Sequence, residues 1–490
     1  MSTEVAAVVA AVNEARGWVT ALLVAALLGA VAAAQADDAA VQEQADDGAV
    51  AAPADQPAAA SGGAAIENRV ALPPSLRKFE RKMAGDMREI ESEAAVWLDQ
   101  NYMTGSWWGW RNRLNDWGII PSATYVPDIL GNPFGGEIHK VRYVHDIGVD
   151  LVLDFQRMLG WEGSHFHVSM SSRSGNNLSD DIGNVFTVAQ SCCQVTTRLV
   201  TLAWEQSLLE HRLNIRAGRI ATGDDFLTDR LYWLYVNNGF DANPLSVQIN
   251  VPFFAYPNAA WGGRVRVRPL RPLYLAAGIY DANPAITRNS EHGVDFSIHG
   301  NDPILLVFEA GYEPEHHIEG GLPGHYKVGG YYYTGRLRRF GTPPESNLPQ
   351  NFEYGSGGYY FLVDQMVFRE EGYQGLWPFF TLVFAPNKAI NTFPFFSSAG
   401  LTYEGLIPGR DEDVSIVGVV YGGFSADLRR AQAGSPSGQQ DFETVIEWSY
   451  IIALAPWLHI QPDFQYIIKP GGTGNIPDSF VLGAQFAINI

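Results

Sequence analysis

Beyond residue 40 the sequence has no uninterrupted apolar run near the roughly 20 residues that a membrane-crossing helix needs, which excludes helical crossings there. Basic residues are scarce as well: 33 Lys and Arg stand against 53 Asp and Glu, a formal charge of −20. Nucleic-acid phosphates need a basic partner surface, so nucleic acid is excluded as a partner. Free anions would be repelled unless local arginines line their path. Cysteine is almost missing. The two that occur, Cys192 and Cys193, are adjacent, which gives neither a disulfide framework nor a C-x-x-C metal or redox motif. After export such a pair can close a small vicinal ring, read here as a local loop staple without catalytic meaning. G-x-S-x-G and P-loop patterns are also lacking.

The 50 glycines, 28 prolines and 12 % aromatics that are present favour many strands and turns over helices. Near the amino terminus, GWVTALLVAALLGAVAAAQADD has the apolar length of a secretory signal, and Ala34-Gln35-Ala36 fits a cleavage site. Residues 1–36 are therefore expected to be removed, although Glu4 and Glu14 outnumber Arg16 ahead of the run and point to a start downstream of Met1. Residues 37–74, rich in Ala, Asp and Pro, cannot bury enough surface to offset ordering entropy and are expected to form a disordered spacer. Leu76, Phe79, Met83, Met87, Ile90, Ala94 and Trp97 step by three and four, predicting a periplasmic amphipathic helix over 75–100.

From about residue 117 the period becomes two. In TVIEWSYIIAL, Ile446, Trp448 and Tyr450 oppose Glu447 and Ser449; in GRVRVRP, Val265 and Val267 oppose Arg264, Arg266 and Arg268. About sixteen such segments occur, with tight connections after even-numbered ones and long polar insertions after odd-numbered ones, the layout of an outer-membrane barrel. Soluble β-sandwiches explain the alternation equally well. They explain less well the loop asymmetry and the charges at mid-strand opposite aromatic faces. The fold expected is an all-β transmembrane barrel of antiparallel strands over 101–490, whose closure leaves no edge for lipid to face. One residue resists this reading. Pro462, within LHIQPDFQYIIKPGG, removes a ladder donor, so a bulge or an unpaired position is expected there.

Several passages resemble the carbohydrate-selective, or OprB-type, porins. GSWWGWRNRL (105–114), YVPDILGNPFGG (125–136), IRAGRIATGDDF (215–226), YPNAAWGGRVRVRP (256–269), AAGIYDANP (276–284), LPGHYKVGGYYYTG (322–335), GLIPGRDED (405–413) and PWLHIQPDFQYIIKPGG (456–472) occur in the family's order. The likeness runs from about residue 102 to the end, and departs from the family in the spacer, the cysteine pair and the terminal Ile490. It implies a sixteen-stranded channel in the outer membrane of a Gram-negative bacterium that passes monosaccharides such as glucose. The partners implied are neutral sugars, outer-membrane lipid and lipopolysaccharide, with a homotrimer as the association to test. No cofactor, metal or enzymatic step is expected.

A sugar carries hydroxyls around a ring with apolar faces, so its path needs aromatic surfaces beside charged hydrogen-bonding groups; arginine offers five donors in fixed geometry. The longest insertion, 221–260, is expected to fold into the lumen. The expected constriction is Arg216, Asp224, Asp225, Arg230, Trp233, Arg264 and Arg266. For each of these the alternative is a member of a structural charge ladder. Arg219 falls on the lipid side by strict alternation from Arg216, so a bulge or the barrel rim must intervene. His165, His167 and His459 read as wetted lumen residues, and His316-His317 as a periplasmic turn without a spaced metal partner. Three alternative functions are a general diffusion pore, an outer-membrane barrel enzyme such as a lipid hydrolase, and a structural barrel tethered through helix 75–100. The enzyme needs a nucleophile and base on the outer wall, and alternation places no Ser/His pair there.

Overall fold

The computed structural model describes residues 100–490 except 194, 241–242, 315–320, 344, 346 and 371–373. The expected signal, spacer and amphipathic helix, and His316-His317, lie outside the described residues. A short helix α1 (Trp110–Asp116) leads into one antiparallel sheet. Its spanning strands are β1 (Ile119–Phe134), β2 (Val141–Asp154), β3 (Ser164–Gly175), β4 (Thr196–Leu208), β5 (Leu213–Ile220), β6 (Ala260–Leu270), β7 (Leu273–Asp281) and β8 (Ile304–Tyr312). They continue as β9 (Gly324–Arg338), β10 (Phe352–Gln365), β11 (Gly375–Phe384), β12 (Phe395–Glu404), β13 (Val414–Gly423), β14 (Phe442–Ala455), β15 (Leu458–Ile468) and β16 (Ser479–Asn489). A two-residue piece, Phe368–Arg369, pairs beside β11. Each strand pairs with the next, and β1 pairs with β16, from Thr124↔Asn489 to Phe134↔Phe480, so the ring of sixteen is closed.

The wall is inside out relative to a soluble sheet. On β14, Ile446 and Trp448 are 41 % and 53 % exposed while Glu447 is fully buried. On β15, Phe464 and Tyr466 are exposed while Asp463 and Gln465 are buried. Lipid replaces water as the medium for the apolar face, and the polar face turns inward. The shortest connections, 209–212, 271–272 and 456–457, follow even strands, and the long ones, 176–195, 221–259 and 282–303, follow odd strands. This matches the expected asymmetry and sets the long loops on the extracellular side.

Pro462 sits opposite Ala484 in the β15–β16 ladder without a register shift. On its other side the β14–β15 pairing runs to Ser449↔Asp463, skips Pro462 and Gln461, and resumes in the same register at Ile452↔Ile460. The missing donor therefore creates a local gap and no bulge. Arg219 is also settled without a bulge. Its pairings to Leu202 and Trp261 are in register, and it is fully buried at the rim. There the 282–303 loop lies against the wall, with Trp261 Nε1 donating to the Asp295 carbonyl at 3.3 Å and the Leu199 N–H donating to the His292 carbonyl at 2.9 Å. GGYYYTG (329–335) lies within β9. Tyr331 and Tyr333 are buried inside, alongside Gly329.

The apolar core lies within the barrel. Two loops, 176–195 and 221–259, fold inward and pack their aromatics on the inner wall. Phe186 stacks on Phe393 with centroids 5.5 Å apart, and Tyr235 stacks on Phe240 at 4.1 Å. Gly418 on β13 makes room for the second stack, since a Cβ there would lie 2.6 Å from the Tyr235 ring. At the opposite pole, Arg111 of α1 holds the chain end: its Nη2 donates to the Ile490 carbonyl at 3.1 Å, and its guanidinium lies 3.8 Å from the Tyr102 ring centroid.

Candidate functional site

The 221–259 loop leaves the wall at β5 and is fastened across the lumen. The Glu447 carboxylate on β14 accepts from the Val236 N–H at 2.7 Å and the Asn237 N–H at 3.0 Å. Asn237 Nδ2 donates to Gln465 Oε1 at 2.8 Å, and Gln461 Nε2 to the Leu234 carbonyl at 2.8 Å. Thus the polar face of β15 anchors the loop. Nearer β8, the Leu227 N–H donates to Glu309 at 3.0 Å. These bonds to carboxylates, each worth about 1.5–3 kcal/mol, hold an otherwise irregular segment in one place.

Openings lie beside the fastened loop. One, of about 310 Å³, is lined by Asp224, Asp225, Asp229, Arg230, Trp233 and Arg266 from the expected region, and by Tyr274, Glu309, His325, Lys327 and Asp364 from β7 to β10. Another, of about 50 Å³, is lined by Asp146, Arg173, Ser191, Trp233, Tyr235 and Tyr256 among others. Trp233 borders both. An aromatic face thus lines both a larger, highly charged chamber and a smaller one whose charged residues are Asp146 and Arg173.

All seven residues expected from the sequence converge, but they divide into two groups. Asp225 Oδ1 accepts from Arg216 Nη1 at 3.2 Å and Arg264 Nε at 3.1 Å, and Asp225 Oδ2 from the Tyr280 hydroxyl at 3.0 Å. These three ionic groups are buried, at 5 % exposure or less. Burial alone would push the Asp225 carboxyl up, but Arg264, Arg216 and Arg266 together hold it below the usual carboxylate range. They form the ladder that fixes the start of the loop. Asp224, Arg230, Trp233 and Arg266 are half-buried and face the openings. Arg230 lies 3.9 Å from the Trp377 ring centroid and Arg266 4.7 Å from that of Tyr274, contacts that orient guanidiniums without consuming their donors.

The smaller chamber was not foreseen. Arg173 Nε donates to Asp146 at 3.1 Å, its Nη1 to the Cys192 carbonyl at 2.9 Å, and its guanidinium lies 5.4 Å from the Tyr256 ring centroid. Counting by twos from His167 along β3 reaches Arg173, and that is the signal available in the sequence. The 176–195 loop gave none, since its anchors are ordinary residues: Gln190 Nε2 donates to the Tyr232 and Tyr235 carbonyls at 3.0 and 2.8 Å. Cys192 and Cys193 are joined as a disulfide in this loop. Its contact with Arg173 is through the backbone, in keeping with a staple. His167 lies 3.4 Å from Asp150, and no cluster of three His, Cys, Asp or Glu suited to a metal occurs among the described residues.

Comparison with known proteins agrees with this geometry. Residues 139–490 match the family described as carbohydrate-selective porin, OprB family. Porin B of Pseudomonas aeruginosa is 25 % identical over 419 residues, covering 79 % of this chain and 91 % of that protein. A putative porin, QuiX, of Acinetobacter baylyi is 21 % identical over 422 residues, covering 80 % and 93 %. The high-pH structure of Pseudomonas putida OprB superposes with a TM-score of 0.73 at 25 % identity, covering 80 % of this chain and 99 % of that one.

Proposed function

The chain belongs to the carbohydrate-selective, OprB-type porin family, channels of the Gram-negative outer membrane and not enzymes, and from that premise we propose that it passes monosaccharides such as glucose down their gradient into the periplasm. The observation that carries the proposal is the position of Trp233 in the wall of the larger, charged chamber, beside Asp224, Arg230 and Arg266. A pyranose can lay its apolar face on the indole while Arg230 and Arg266 donate to its hydroxyls and Asp224 accepts from them. Arg216, Asp225 and Arg264 serve the path as its frame. Each contact is individually weak and exchangeable with water, so sugar is favoured inside yet leaves quickly. Diffusion in this reading is passive, with no coupling ion or nucleotide.

The test is influx into liposomes that contain the mature protein, comparing glucose, an amino acid of similar size and a disaccharide. Faster glucose influx than amino-acid influx supports the proposal. Equal rates for solutes of similar size would leave a general diffusion pore.

A further inference from the structure

The lipid-facing wall between β6 and β10 carries a groove of about 810 Å³ that the channel does not use. Ala277, Gly330 and Gly357 lie along it, and Phe308, Tyr332 and Tyr359 rise beside them. The ladder places Tyr332 opposite Gly357 and Gly330 opposite Tyr359, so large and small side chains alternate across one face. Tyr332 and Tyr359 are 48 % and 68 % exposed.

Above the groove, at the extracellular end of the same two strands, Arg336 opposes Tyr354 and Arg338 opposes Phe352. Both guanidiniums lie on the Phe352 ring, 4.8 and 4.7 Å from its centroid. Arg338 Nη1 donates to the Pro343 carbonyl at 2.9 Å, and neighbouring Arg339 pairs with Glu353. Arg336 is exposed, and among the described residues no carboxylate pairs with it. Four residues of strand, roughly 13 Å, separate Arg336 from Tyr332. In a chain of net charge −20, a cation without a partner at the outer rim, directly over an apolar groove, is complementary to an amphiphile with an anionic head and hydrocarbon tails.

We propose that this wall binds one phosphorylated lipid of the outer leaflet, with an acyl chain in the groove and a phosphate on Arg336 and Arg338. The site rests on the barrel's outer-membrane placement and is independent of what the lumen transports. Full-length protein is mixed with equal amounts of hexa-acylated, bis-phosphorylated lipid A and its dephosphorylated form, and the retained lipid is read by native mass spectrometry. Retention of the phosphorylated form is expected to exceed that of the other about thirtyfold, the size expected for two arginines at an anionic lipid surface. R336A/R338A should bring the two to parity, while A277F, which fills the groove, should lower retention of both. Unchanged single-channel conductance and unheated gel mobility show that the variants are folded. Equal retention of the two lipids by the wild type, or an arginine variant that keeps the preference, would overturn the proposal. So would lipid-free oligomers abolished by A277F, which would give the groove to a second copy of the chain.

Discussion

Glu447 on β14 receives the Val236 and Asn237 N–H groups of a loop rooted at β5, seven strands away by the shorter route around the ring. The constriction is therefore a bridge with two abutments, and only one of them is covalent. Glu447→Ala removes the acceptor and leaves two buried N–H groups unmatched, at a cost of roughly 3 kcal/mol or more. The expected outcome is a loop that leaves the lumen part of the time, with larger and noisier single-channel conductance in planar bilayers. An unaltered conductance trace would mean that Gln461 and Gln465 suffice to hold the bridge.

In the proposed path Trp233 offers an uncharged aromatic face. Replacing it with Ala widens the chambers it lines and removes the stacking surface, whose worth is about 0.5–1.5 kcal/mol by analogy with aromatic pairs. Glucose should then block ion current about two- to tenfold more weakly while open-channel conductance rises. Trp233→Phe should restore most of the block. If Ala and Phe behaved alike, the ring would be a spacer and not a sugar platform.

Asp229, in the same loop, predicts a pH dependence of the channel. Burial, and after it the charge of Asp364, push its carboxyl up to about 7. An acid raised above its unfolded value of about 3.9 stabilises the fold fully below that value and loses this contribution as pH rises through 7. For transport, the larger chamber gains a negative charge over the same window. Reversal potentials under a salt gradient should shift towards cations between about pH 6 and 8, and Asp229→Asn should abolish the shift. His325, which lies 2.8 Å from Asp364, is replaced by Gln in a parallel control variant. A shift of full size in Asp229→Asn would exclude this carboxyl as its source.

Most of the wall was legible because a barrel strand has unlike faces and a period of two. Alternation put Glu447 and Trp448 on opposite faces, and the loop asymmetry of a barrel turned Glu447 inward. The clustering of the candidate residues was legible to the extent that it depends on neighbouring strands: Arg216 and Arg264, on β5 and β6, are opposite each other in the ladder. Their division of labour was not. Whether an inward arginine faces sugar or a buried carboxylate depends on where Asp225 arrives from the loop, a contact that no local pattern encodes. The inward fold of 176–195 was hidden for the same reason, since Gln190 finds carbonyls 42 and 45 residues away. Pro462 was legible as a defect, and only the ladder on each side of it showed which partner goes without.

The chain end is the remaining point of leverage. Closure of the ring depends on β16, whose last residues are held from outside the sheet: the Met103 N–H donates to the Asn489 carbonyl at 2.8 Å, and Arg111 donates to the Ile490 carbonyl. Arg111 is also clasped between aromatics, 3.8 Å from the Tyr102 centroid and 4.3 Å from that of Trp107, and is only 3 % exposed. Desolvated cation–π contacts of this kind are worth about 2 kcal/mol, so Arg111→Ala should loosen the β1–β16 seam without touching the lumen. The expected result is a lower temperature for conversion from the compact to the unfolded band on a gel, with single-channel conductance retained in the folded fraction. Arg111→Lys keeps the charge but loses the planar stack, and should fall between wild type and Ala. A Lys variant as stable as wild type would assign the effect to charge alone, and an Ala variant as stable as wild type would show that the ladder closes the barrel unaided.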